Sequence, residues 1–205
     1  MNAVVILAGG KSRRMGKDKL ALSLGGKTLL ESAVSRFSKA FENVYLSVAD
    51  SNKYPEIEVR RIVDIIPGAG PMSGLHAALS ELKTDGVFLV AADLPFSSPE
   101  AALRIIELCE QSGKAACVLK LPDGKLEPLF GYYRKEIFEK CEELIKSGDY
   151  RMTELLSDTA ARFVKPEELS ELWDDTLIMN VNYPEDYEKL RVASSNLILL
   201  EYTQS

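Results

Sequence analysis

The sequence is poor in the side chains that commonly carry acid–base and redox chemistry. It holds one histidine and three cysteines in 205 residues. Cys109, Cys117 and Cys141 are odd in number and widely spaced, which excludes a disulfide framework and a clustered zinc site. They read as reduced thiols of a cytoplasmic protein. Surplus positive charge is also missing. The net charge of −6 excludes a chain whose whole surface grips nucleic acid. No stretch approaches 18 apolar residues, so no membrane partner is expected. The opening "MNAVVILAGG" lacks the basic region and long apolar core of a secretory signal. Repeats, low-complexity tracts and linkers are absent too, which assigns residues 1–205 to one domain. What is present suits a globular chain with a substantial core: 46% hydrophobic and 27% charged residues.

The apolar residues beat in alternating periods. Ala3 to Leu7, Asn43 to Val48, "EVRRIVD" ending at Asp64, "GVFLVAAD" from Gly86 to Asp93, and "AACVLK" read as strands. Between them, Lys27–Phe41, Ser73–Leu82 and Pro99–Gln111 carry apolar side chains at helical spacing. Strands alternating with helices predict an α/β fold, a three-layer sandwich around a mostly parallel sheet. The beat loosens after residue 120. "LPDGKLEPLFGYY" carries the Asp-Gly pair of a tight hairpin, Lys135–Ser147 and Thr153–Leu156 read as helices, "TLIMNVN" as a late strand, and "YPEDYEKL" as a closing helix.

One loop stands out. Directly after the first strand come Gly9 and Gly10, then five bases within nine residues: Lys11, Arg13, Arg14, Lys17 and Lys19. Ligands of open α/β sheets sit beyond the carboxyl ends of the strands, where this loop begins. Its spacing fits neither a Walker A loop nor the Gly-x-Gly-x-x-Gly of dinucleotide enzymes, and "PGAGPMSG" also misses the latter. Bare backbone at Gly9 and Gly10 admits an anion to the amide groups, and arginine and lysine neutralise it. So many cations repel one another unless an anion or solvent relieves them.

The block "LAGGKSRRMGKDK" closely resembles the signature of nucleotidyltransferases, which transfer a nucleoside monophosphate from a nucleoside triphosphate. Its Leu7-Ala8-Gly9-Gly10 opening resembles the molybdenum cofactor guanylyltransferase branch. The resemblance continues in the family's order through "DIIPGAGPMSGLHAAL", "VAADLPF", "EPLFGYY" and "NVNYPED", up to about residue 190. It implies a Rossmann-like nucleotidyltransferase fold, with residues 1–120 as the nucleotide-binding part, 121–190 as an acceptor-side elaboration and 191–205 as a tail. It further implies that Leu7, Ala8, Gly9 and Gly10 line the nucleotide and that Arg13 and Lys19 act on its phosphates. Asp64 and Gly70 would complete the nucleotide site, with Pro71 and Gly74 shaping the wall near the base. Asp93 would bind Mg2+, and Asn180 and Asn182 would face the acceptor. Tyr183 stands where the family more often has threonine. The implied substrates are GTP and molybdopterin, and the implied recipients of the product are molybdoenzymes or their chaperones.

Physical chemistry supports Asp93 without the resemblance, because a carboxylate at the end of an apolar central strand lies at the ligand edge and suits magnesium. The competing role, a cap for the helix after "LPFSSPE", is open equally to Ser97 and Ser98. Asn182 could likewise cap the last helix. His76, inside "SGLHAAL", reads as a structural residue, and the cysteines fall within helices and a strand. Three other functions compete: cytidylyl transfer to the same pterin, nucleotidyl transfer to a sugar or polyol phosphate, and a non-catalytic nucleotide-binding regulator. Relatives with the first two activities more often read Leu-Ala-Ala-Gly. A dinucleotide-dependent oxidoreductase is disfavoured by the glycine spacing.

Overall fold

The structure is a computed structural model that describes residues 2–9, 18–24, 26–181 and 186. Its centre is a seven-stranded sheet. The strands are β1 (Asn2–Leu7), β4 (Val44–Val48), β5 (Arg60–Val63), β6 (Gly86–Ala91), β7 (Ala116–Lys120), β8 (Leu126–Arg134) and β9 (Ala161–Val164), in the order β5-β4-β1-β6-β8-β7-β9. The two-residue strands β2 (Ser23–Leu24) and β3 (Lys27–Thr28) form a separate ribbon. The pairs β4–β5, β1–β4, β1–β6 and β7–β9 are parallel. Strand β8 runs against both of its neighbours, β6 and β7.

Strand β1 shows how the layers arise. Its side chains alternate in direction, so Val4 and Ile6 enter one core while Ala3, Val5 and Leu7 enter the other. On the first face lie α1 (Leu29–Phe37) and α3 (Pro99–Ser112), contributing Leu30, Phe37, Ile105 and Ile106. The second face is covered by α2 (Pro71–Glu81), α4 (Phe138–Ser147) and α5 (Met152–Ser157), through residues such as Met72, Leu75, Leu144 and Leu155. This is the three-layer sandwich that the alternation predicts. Strand β6 is buried along its whole length, as a central strand covered on both faces must be.

Local chemistry sets the helix ends. Thr28 and Glu31 form a capping box that starts α1 at Leu29, later than its apolar spacing suggests, and after Phe37 the helix gives way to turns. Ser98 caps α3 and Gly113 closes it in the left-handed conformation. Helix α2 starts at Pro71, after Gly70 at a φ of 62°. The Ser73 hydroxyl donates to Ile66 O at 2.7 Å and accepts from Ala69 N–H, which fixes the glycine-rich segment before that helix. Gly74 lets α2 lie close on the sheet: a Cβ there would stand 2.4 Å from Ser47 Oγ and 2.7 Å from Leu7 Cδ2.

The hairpin between β7 and β8 turns at Asp123-Gly124 as the sequence predicts, with Leu121 N–H bonded to Lys125 O at 2.8 Å. One reading needs correction. "TLIMNVN" is not a strand over its described residues. Leu177 and Met179 N–H bond back to Asp174 and Thr176, and Val181 N–H reaches Asp93 O, so the segment turns locally instead of pairing in the sheet. The outer edge belongs to β9, a four-residue strand with weak apolar alternation. The proposed closing helix, bar Asp186, and the tail fall outside the described residues.

Candidate active site

The carboxyl ends of β5, β4, β1 and β6 form one edge, and most of the singled-out residues meet there. Leu7 ends β1, level with Ser47 in β4 and Ala91 in β6. Ala8 N–H bonds to Ser47 O at 3.0 Å, and Leu7 O accepts from Ala92 N–H at 3.1 Å, so the exit from the strand is fixed on both sides. Gly9 is exposed, and a Cβ built on it would meet none of the described residues within 4 Å. The backbone is therefore bare toward the open edge. Gly10, Arg13 and Asn182 lie outside the described residues, as do Lys11, Arg14 and Lys17.

Lys19 opens a single 3₁₀ turn, Lys19–Ala21. Its ammonium group forms an ion pair with the Asp93 carboxylate two residues beyond β6. Both side chains are mostly sheltered, with 23% and 16% of their surfaces exposed, so the pair is screened less than a surface one. Asp93 does not cap α3, since Ser98 does that. Asn180 also comes to this place: the N–H of its neighbour Val181 donates to Asp93 O at 3.1 Å.

Asp64 follows β5 at the far side of the same edge, its own N–H bonded to Val48 O. Burial pushes its carboxyl up to about 6. Gly70, Pro71 and Gly74 shape the start of α2, whose contact with Leu7 and Ser47 makes it a wall of this crevice. His76 is buried and stacked on Phe138 at 5.0 Å, with Nε2 3.8 Å from Glu142 Oε1. It is a packing residue of the α2–α4 contact. The three cysteines are buried and unpaired.

Four further residues support the site, and sequence pattern alone did not reveal them. Glu127 stands near the start of β8. Beyond the Val90–Phe130 pair the strand bulges against β7, and the Glu127 carboxyl comes close enough to Asp93 to feel that charge. Burial, helped by the charge of Asp93, pushes the Glu127 carboxyl up, against the Leu129 N–H that it accepts at 3.1 Å. Arg36, on α1, clamps the loop after Asp93. Its guanidinium donates to Leu94 O at 3.1 Å, Ser97 O at 3.2 Å and Ser97 Oγ at 3.2 Å, and burial pulls it down to about 10. Asp18 and Tyr54 are bonded to each other at 2.7 Å beside Lys19. Among these, only Asp18 and Glu127 fell inside blocks that the sequence had marked. Arg36 and Tyr54 looked like ordinary helix and loop residues.

Among the described residues no group of three or more histidines, cysteines or acids could hold a metal alone. The donor set here is one or two carboxylate oxygens beside a bare backbone. That fits magnesium, which uses few protein ligands and completes its shell with water and substrate phosphates.

The family model of the MobA-like NTP transferase domain matches residues 4–163. The chain belongs to that family. It is a nucleotidyltransferase. Among curated relatives, a probable molybdenum cofactor guanylyltransferase of Aquifex aeolicus is 33% identical over 191 residues, covering 93% of this chain and 90% of its own. A molybdenum cofactor guanylyltransferase of Campylobacter jejuni is 32% identical over 190 residues, covering 91% and 94%. Among solved structures, molybdopterin-guanine dinucleotide biosynthesis protein A of Archaeoglobus fulgidus superposes with a TM-score of 0.85 at 26% identity, covering 96% of this chain and 100% of that one. A cytidylyltransferase of Thermus thermophilus, 18% identical at a TM-score of 0.68, shares the fold. No helix among the described residues is long and apolar enough to cross a membrane.

Proposed function

We propose that this nucleotidyltransferase moves GMP from GTP to the terminal phosphate of molybdopterin, releasing pyrophosphate. The curated relatives, whose names state that activity, support the substrate pair. The observation that carries the reading in this chain is the Lys19–Asp93 pair beside the exposed Gly9. A cation, an acid and a side-chain-free backbone at one strand edge suit a triphosphate with a divalent ion.

In this reading Leu7, Ala8, Gly9 and Gly10 floor the nucleotide site, Asp64 adds an acidic nucleotide contact, and Gly70 with Pro71 and Gly74 walls the base. Arg13 and Lys19 neutralise phosphate oxygens, and Asn180 and Asn182 face the acceptor. Asp93 would hold Mg2+, with Glu127 close enough to add to the negative field that attracts it. Bound there, the ion would neutralise phosphate charge. An oxygen of the acceptor phosphate forms the new bond to the α-phosphorus, and the bond to the bridging oxygen breaks, so pyrophosphate leaves with the electron pair. The attacking phosphate is already anionic and needs no strong base, which agrees with a site that holds no histidine. Positioning and charge neutralisation then carry the rate. The whole chain acts as one domain in the cytoplasm, and its product would pass to molybdoenzymes or their chaperones.

The test is pyrophosphate release by purified protein with Mg2+, molybdopterin and each of the four nucleoside triphosphates in turn. GTP is expected to support release well above the other three. Preference for CTP, or release only with a sugar phosphate as acceptor, overturns the reading.

A further inference from the structure

Lys19 faces Asp93 from a turn too short to hold itself. The turn has two main-chain bonds, Ala21 N–H to Asp18 O at 3.1 Å and Leu22 N–H to Lys19 O at 3.2 Å. One side-chain bond supports it, from Leu20 N–H to Asp18 Oδ1 at 3.1 Å. A three-residue 3₁₀ turn has poor hydrogen-bond geometry of its own. Whatever fixes Asp18 therefore fixes the direction in which Lys19 leaves the backbone.

Asp18 is fixed from outside. Its second oxygen, Oδ2, accepts the Tyr54 hydroxyl at 2.7 Å, across 36 residues of sequence. Tyr54 has a φ of 52°, the left-handed region that a bulky aromatic residue rarely occupies. Such a conformation persists only where the surroundings over-determine it, and it clusters at functional sites. Here the surroundings are visible. Arg61, on β5, donates to Tyr54 O at 2.6 Å, Ile57 O at 3.1 Å and Lys53 O at 3.3 Å, gripping the turn by three carbonyls. The Tyr54 ring packs against the core on the α1 side. Backbone and ring are both held, and the hydroxyl is left with one direction in which to point. Burial and the bond to Asp18 push the phenol up, so it stays a donor across the working range.

We propose that Tyr54 is a positioning residue for Lys19: it holds Asp18, which holds the turn from which the phosphate-binding lysine projects toward Asp93. Strand β5 carries both Arg61, under the Tyr54 turn, and at its tip Asp64. The inference rests on the guanylyl-transfer reading only in that Lys19 meets the phosphates of a nucleotide.

The experiment is calorimetric titration of GTP with Mg2+ into wild type, Tyr54→Phe, Asp18→Asn and the double variant, each paired with thermal unfolding. Phenylalanine keeps the ring and removes the hydroxyl, and asparagine keeps an oxygen for the turn. Loss of one hydrogen bond to a charged group predicts about tenfold weaker GTP binding for Tyr54→Phe. Its melting temperature is expected to fall by no more than a few degrees, as for the loss of one exposed bond, and its KM for molybdopterin to stay unchanged. The double variant is expected to bind about as weakly as the worse single one, because both changes break the same bond. Equal affinity in wild type and Tyr54→Phe overturns the inference, as does a lowered melting temperature with affinity intact. Additive losses in the double variant also overturn it. A wild-type protein that binds no GTP overturns the nucleotide reading itself, and this inference with it. If Tyr54→Phe fails to fold, the tenfold loss in Asp18→Asn decides the question alone.

Discussion

The main-chain N–H of Val181 donates to the main-chain carbonyl of Asp93 at 3.1 Å. This bond closes the active-site edge from the far end of the sequence, because Asn180 arrives beside the strand-end acid with it. The segment that carries Asn180 and the strand end that carries Asp93 are therefore joined through backbone, which side-chain substitution leaves in place.

Replacing Asp93 with alanine separates chemistry from folding. The variant loses its carboxylate at an edge position while its main-chain carbonyl still accepts Val181 N–H. Turnover is expected to fall by at least about a hundredfold, the order seen when a charge-stabilising group is removed. Thermal unfolding is expected to move by only a few degrees, the scale of about 1 kcal/mol. Pyrophosphate release at the wild-type rate would refute the metal-binding role.

Arg36 is expected to behave differently, affecting stability and rate together. Arg36→Met takes the guanidinium from the Ser97 carbonyl, while Leu94 O keeps Ser97 N–H and Oγ, and an unsatisfied buried acceptor costs about 1–3 kcal/mol. The loop that begins at Asp93 loosens with it. Urea unfolding should show the loss, and kcat should drop while binding of GTP falls less. An Arg36→Lys variant should recover only part of the stability, since an ammonium group cannot span the same acceptors.

Asp64 predicts a pH signature of definite sign. Its folded value of about 6 lies above the ordinary 3.8, so between those pH values the folded protein holds a proton that the unfolded chain has released. Stability from this group is therefore greatest below pH 3.8 and declines as pH rises toward about 6, then levels off. Asp64→Asn removes that slope. Urea titrations at pH 4 and pH 7.5 should find the variant stabilised relative to wild type only at the higher pH. A stabilisation equal at both pH values would contradict the burial effect.

Gly74→Ala tests the closeness of α2 to the sheet. The added methyl group meets Ser47 Oγ and Leu7 Cδ2 well inside contact distance. Overpacking of this kind costs about 1–3 kcal/mol. Adding Ser47→Ala removes the nearer clash, so the double variant should melt above Gly74→Ala alone. Two independent, additive losses would argue against a direct clash.

Sequence pattern revealed what repeats and what is crowded. The central strands and the amphipathic helices were legible because their apolar periods are long enough to distinguish 2 from 3.6. Lys19 and Asp93 were legible for a different reason: a cation-rich glycine loop and a strand-end acid are each anomalous locally. Strand β9 escaped because "ARFV" is short and mixed, and it becomes a strand only through the partner that β7 offers. "TLIMNVN" misled because its apolar residues pack onto the α1 face without entering the sheet, as Leu177 does. The roles of Arg36 and Tyr54 depend on acceptors 58, 61 and 36 positions away, a separation at which no local pattern exists.

The reversed direction of β8 has a consequence for how such enzymes diversify. Because β7 runs parallel to β6 and β8 returns against both, the Leu121–Lys125 turn lies at the same edge of the sheet as Asp93. Residues can be added or exchanged at that turn without shifting the register of a single strand beneath it. The Leu7–Ala8 exit, whose main chain is bonded on both sides, has no such freedom.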